Sequence, residues 1–146
     1  MYAVRLWATR HARLLERIYD AAYGPTIATL KSVDRVFGRR ADKPVAAVEA
    51  AAKGFMFDCK MCGECLLSKT GMTCPMNCPK EIRNGPCGGV RDDGMCEVKP
   101  DMRCVWVEAW NGAAHMKKGD AINDVNFAID HRIVGTSSWL RLARNE

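Results

Sequence analysis

The chain has 146 residues, 22 of them basic and 17 acidic, for a net charge of +5. That length suits one ordinary domain, or a small domain with helical extensions, and excludes an eightfold (β/α) barrel, which needs about 250 residues. No run of about 20 apolar residues occurs, so no membrane-spanning helix is expected, and the Arg-rich N-terminus lacks the apolar stretch of a secretory signal.

In chain order, the first element reads as a helix. Trp7, Leu14, Leu15, Ile18 and Ala22 recur at helical spacing, with Arg10, Arg13 and Arg17 on another face. Gly24-Pro25 is expected to stop it. Ile27, Leu30, Val33 and Val36 then mark a second helix that closes at Gly38-Arg39-Arg40. A third is announced by Asp42 as N-cap and Pro44 in the first turn, with an apolar stripe of Val45, Val48, Ala52 and Phe55. These stripes either cover the protein's own core or dock on a partner.

From Asp58 to Cys104 the texture changes. All eight cysteines sit there among prolines and glycines, and neither a helical nor a strand period survives for long. This is loop built around ligands. Val105, Trp106 and Trp110 then suggest a short helix with the two tryptophans at i and i+4. The polar tail carries one apolar patch at Trp139, Leu140 and Leu142, and is expected either to lie as an arm on a partner or to be partly disordered. The expected architecture is therefore small α plus irregular, with little β structure. A helical N-terminal extension spans 1–44, a loop-rich cysteine-ligated metal domain 45–111, and a tail or docking arm 112–146.

The cysteines follow the spacing Cys59-x2-Cys62-x2-Cys65-x8-Cys74-x3-Cys78-x8-Cys87-x8-Cys96-x7-Cys104. Without an export signal, such a set points to metal in a cytoplasmic protein rather than to disulfides. Three thiolates at two-residue gaps can wrap one corner of an iron–sulfur cube and leave its fourth iron to a remote cysteine followed by proline. Both Cys74-Pro75 and Cys78-Pro79 offer that dipeptide. Eight cysteines divide into two Cys₄ sites, and the expected partition is Cys59, Cys62, Cys65 and Cys78 in one, with Cys74, Cys87, Cys96 and Cys104 in the other. Two [4Fe–4S] clusters fit the triple best. One cluster plus zinc, or zinc alone, stays open, since zinc also takes four thiolates.

Anionic clusters would offset the basic charge, so nucleic acid is not expected as a partner. His11, His115 and His131 lie outside the cysteine stretch. No phosphate loop, paired catalytic carboxylates or nucleophile–base arrangement stands out, so no complete active site is expected in this chain.

Longer motifs are more specific. Cys59-x2-Cys62-Gly63-x-Cys65 is followed by Thr70-Gly71-x-x-Cys74-Pro75-x-x-Cys78-Pro79-Lys80 and Arg83-Asn84-Gly85-Pro86-Cys87-Gly88-Gly89, then Gly94-x-Cys96-Glu97-Val98-x-Pro100 and Cys104-Val105-Trp106. Over roughly residues 45 to 111 this resembles the cysteine-rich methylenetetrahydrofolate reductase C-terminal domain family, known also as a separate MetV-type small subunit. The resemblance implies a metal-bearing accessory subunit that passes electrons. Its partner would be a flavin-containing barrel reductase of one-carbon (folate) metabolism, and a further redox protein would complete the chain of carriers. The flavin is then expected on the partner chain. Arg83, Lys80 and Trp106 match the motif without a chemical role being implied for them.

Overall fold

The structure, a computed structural model, describes residues 2–146, and Met1 of the N-terminal extension lies outside it. Five α-helices carry the described chain: α1 (Tyr2–Arg10), α2 (Ala12–Phe37), α3 (Asp42–Phe57), α4 (Val105–His115) and α5 (Ser138–Arg144). Between α3 and α4 runs the cysteine loop, interrupted by one 3₁₀ turn at Pro75–Asn77. Isolated antiparallel bridges, Val90 with Cys96 and Met95 with Arg103, are the β pairing among the described residues. The fold is small α plus irregular, and no described helix is long and apolar enough to cross a membrane.

Gly24-Pro25 does not end a helix. Pro25 lies inside α2, and the break falls earlier, at His11, whose backbone leaves the helical region and whose ring stacks on Trp7 at 4.4 Å. An interior proline costs about 3 kcal/mol through its missing N–H and its ring. Contacts at both ends of α2 override that local signal. Near its start the buried Glu16 accepts the Lys117 and Lys118 backbone N–H groups, at 2.7 and 2.9 Å, just beyond α4. Further along, Leu30 packs with Leu140 and Ala143 of α5. The tail is therefore folded back on its own chain, and its apolar patch becomes α5. Arg144 at the end of α5 pairs with both Asp34 of α2 and Asp42 of α3. Asp42 is thus a first-turn residue engaged in that tie rather than the cap, a position held by Ala41.

The expected inward face of α3 is also reversed. Val48 and Phe55 are each 64% exposed, whereas Glu49, Lys53 and Phe57 are buried. Likewise Leu14 and Ile18 of α2 face outward, while α1 and α2 bury Ala8, Thr9, Ala12 and Glu16. The N-terminal helices turn small and polar residues inward because they pack on a cysteine loop rather than on an apolar sheet. Thr9 illustrates it, with its hydroxyl 2.8 Å from the Thr73 hydroxyl in the loop.

Loop and α4 meet backbone to backbone. Gly71 has φ +59°, and a Cβ there would overlap the Ala109 carbonyl and the Ala113 nitrogen, while one at Gly112 would overlap the Gly71 carbonyl. Gly71→Ala must both strain a left-handed residue, at roughly 1–2 kcal/mol, and part the loop from α4. It is expected to lower the denaturant midpoint clearly, whereas Gly24→Ala, with open space around it, should leave it level or raise it.

Candidate metal centre

The first site is delivered by the end of α3. Asp58 takes a left-handed conformation (φ 52°) and its N–H closes on the Gly54 carbonyl at 3.0 Å, which turns the chain outward and places Cys59 directly after the helix. Met61 (φ 48°) and Gly63 (φ 82°) continue the turn. The Met61 N–H then points back at Cys59 Sγ, 3.4 Å away. Gly63 is pressed against the Ile133 backbone, leaving no room for a Cβ, and the Gly135 N–H donates to the Met61 carbonyl at 2.7 Å. The C-terminal segment thus lies on the cysteine loop.

Cys59, Cys62, Cys65 and Cys74 line one recess, with Lys53, Glu49, Arg83 and Ser138 also on its wall. Cys74 reaches it from the start of the Pro75–Asn77 turn. Burial, and after it charge on Cys59, pushes the Cys74 thiol up to about 12. Burial likewise raises Cys59, with charge on Cys65 and Cys62 adding to the effect. Cys59 and Cys74 are thus held up by burial and by charge on the neighbouring thiols of the same recess. A cation set among them would relieve that repulsion and make all four thiolates accessible near neutral pH. The donor set therefore suits a thiolate-bound metal group.

Two cations flank the thiols. Arg83 is buried, donating from Nη1 to Cys62 Sγ at 3.9 Å, from Nη2 to Glu64 at 2.6 Å and from Nε to the Phe127 carbonyl at 2.7 Å. Lys53 faces Cys65. Burial opposes its charge, but Cys65 and the Glu49 carboxylate outweigh that and hold its ammonium above the ordinary lysine range. Glu49 is 1% exposed. It accepts from Lys53 at 2.6 Å, from the hydroxyls of Ser137 and Ser138 at 2.5 Å each, and from the Trp139 N–H at 3.2 Å. Burial alone would raise the Glu49 carboxyl, but hydrogen bonds from Lys53, Ser137 and Ser138 bring it below its usual value.

The remaining cysteines are less tightly gathered. Cys87 and Cys104 share a second recess with Pro86, Val90, Trp106 and Trp110. Cys87 Sγ receives the Gly89 N–H at 3.4 Å and Lys80 at 3.8 Å. Cys78 and Cys96 are buried and line neither recess. Among the described residues, no three Cys, His, Asp or Glu side chains converge on a point that would hold a single ion. Cys74, rather than Cys78, shares the recess of Cys59, Cys62 and Cys65. The pattern of cysteines could not reveal Lys53, Glu49 or the C-terminal serines. A Glu–Lys pair at i and i+4 is the only sequence signal for the first two.

Fold and recess together define a small helical protein in which four cysteine thiols line one recess beside Lys53 and Arg83. The chain belongs to the methylene-tetrahydrofolate reductase C-terminal family, whose model matches residues 39–132, from the turn before α3 through α4 and the following loop. That match leaves α1, α2 and α5 outside. No curated protein and no solved structure matches the chain.

Proposed function

We propose that this protein is a non-catalytic iron–sulfur electron-transfer and assembly subunit of a methylenetetrahydrofolate reductase-type complex. The grouping of Cys59, Cys62, Cys65 and Cys74 around one recess is the observation that carries the reading. Those four would hold one [4Fe–4S] group, and Cys78, Cys87, Cys96 and Cys104 the other. When bound, an iron–sulfur group supplies reversible one-electron exchange. The chain's residues hold it by thiolate, with the Met61 N–H and the Arg83 guanidinium directed at the sulfurs and Lys53 on the same wall. Such donors and charges tune a thiolate-bound centre.

Assembly is supported by the surface. Leu14, Ile18, Tyr19 and Tyr23 of α2 and Val48 and Phe55 of α3 are exposed, which suits docking on a larger, flavin-bearing reductase chain. The folate chemistry would take place on that partner.

Anaerobic purification with a visible spectrum and iron, sulfide and zinc analysis tests this reading. A broad band at about 400 nm that bleaches with dithionite, with about eight irons per chain, is the expected result. A colourless chain with one or two zincs would overturn electron transfer and leave a zinc-stapled adaptor that stabilises the reductase.

A further inference from the structure

The Glu49–Lys53 pair is unusual in lying at the wall of the cysteine recess while also being buried under the C-terminal segment. A lysine ammonium rarely accepts such burial without a partner. Lys53 has two acceptors fixing its direction: Glu49 Oε1 at 2.6 Å and Ser138 Oγ at 2.8 Å. Its ammonium also sits 5.0 Å from the centre of the Trp139 ring. Glu49 is itself held from three sides by Ser137, Ser138 and the Trp139 backbone. Thr136 and Ser138 form part of the recess wall alongside Cys65 and Lys53. The segment that makes these contacts begins beyond residue 132, where the family match ends.

We propose that Lys53 is the electrostatic control of the first cysteine site, and that Glu49 and Ser138 are its positioning residues. A fixed positive charge beside Cys65 favours the more negative, reduced state of a redox group held by the four thiols, and so raises its reduction potential. The effect is large in a recess because neither bulk water nor salt screens the charge well. Glu49, 2.6 Å from the Lys53 ammonium, keeps it from turning to solvent. Ser138 closes the arrangement, so the C-terminal segment acts as a latch on the site rather than a loose tail. This inference rests on the proposed iron–sulfur reading.

The experiment is a redox titration of the anaerobically purified full chain, followed by electron paramagnetic resonance, on wild type and three variants. Lys53→Met removes the charge, Lys53→Arg keeps it, and Lys53→Met with Glu49→Gln removes the buried pair together so that no charge is stranded. Both charge-removing proteins are expected to show a lower midpoint potential, by at least a tenfold change in the oxidised-to-reduced ratio at fixed poise, which is about 59 mV for one electron. The single variant should fall at least as far as the double, since it leaves the carboxylate unopposed, while Lys53→Arg stays near wild type. A purely structural role would change iron content without that order. Should Lys53→Met not fold, the double variant gives the reading. Full iron loading with an unchanged potential in the double variant overturns the proposal alone. A wild-type chain holding zinc and no iron overturns it together with the functional reading.

Discussion

Trp106→Ala is expected to destabilise the protein by about 3–5 kcal/mol, the range for truncating a large buried aromatic. Trp106 is 2% exposed and packs with Cys104, Ala109, Ala113 and Ile122. Its indole N–H donates to the Ile82 carbonyl at 3.1 Å, and its ring lies directly on Gly85, where a Cβ would overlap it. Truncation opens a cavity, orphans that carbonyl and frees the Arg83–Gly89 loop from α4. Because the same ring lines the recess of Cys87 and Cys104, the second cysteine set should lose order as well. Chemical denaturation of the two proteins measures it. Trp110→Ala is the control, since Trp110 is 38% exposed and should cost far less. A Trp106→Ala loss below about 1 kcal/mol would contradict the packing described.

Glu49→Ala is expected to cost a similar amount, about 3–5 kcal/mol, for a different reason: it leaves the Lys53 ammonium buried without its carboxylate. It also releases Ser137, Ser138 and the Trp139 N–H, which ties α5 to α3 through residues 88 to 90 positions apart. Replacing the pair together, Glu49→Leu with Lys53→Met, should recover much of the loss, because an apolar pair of like size strands no charge. A double-mutant cycle in denaturant reads the coupling. Additive losses would show that the pair is not a unit.

The pH dependence has a definite sign. The folded Glu49 carboxyl lies below the ordinary value of 4.5. Its stabilisation is therefore complete above that pH and drains away as pH falls through the folded value. The gap between wild type and Glu49→Ala should narrow in acid.

Much of this protein is visible in its sequence, and the parts that are not share a cause. Helices over Tyr2–Phe37 and Asp42–Phe57 follow from period, and the cysteine loop from its prolines, glycines and lost periodicity. Which face of α3 turns inward does not follow. Val48 and Phe55 are the apolar choice, but the loop they would face offers thiols and backbone, so Glu49 and Lys53 are buried instead. Cys74-Pro75 and Cys78-Pro79 are equal as motifs. Only the 3₁₀ turn at Pro75–Asn77 separates them, leaving Cys74 on the recess with Cys59, Cys62 and Cys65. Pro25 is a local breaker overruled by contacts made by Glu16 and Leu30 with residues about a hundred positions away. Local rules read local structure, and these exceptions are decided by long-range packing.

The proposed function requires that Cys59, Cys62, Cys65 and Cys74 hold one redox-active iron–sulfur group. Iron, sulfide and zinc analysis with redox titration of anaerobically purified Cys74→Ser and Cys78→Ser, each with and without Lys53→Met, tests it most directly. Each cysteine variant is expected to lose one group and keep about four irons, and the group left in Cys78→Ser is expected to shift in potential with Lys53→Met while the group left in Cys74→Ser does not. A Lys53-sensitive group in Cys74→Ser and none in Cys78→Ser would contradict the grouping, and zinc without iron in both would contradict the redox role.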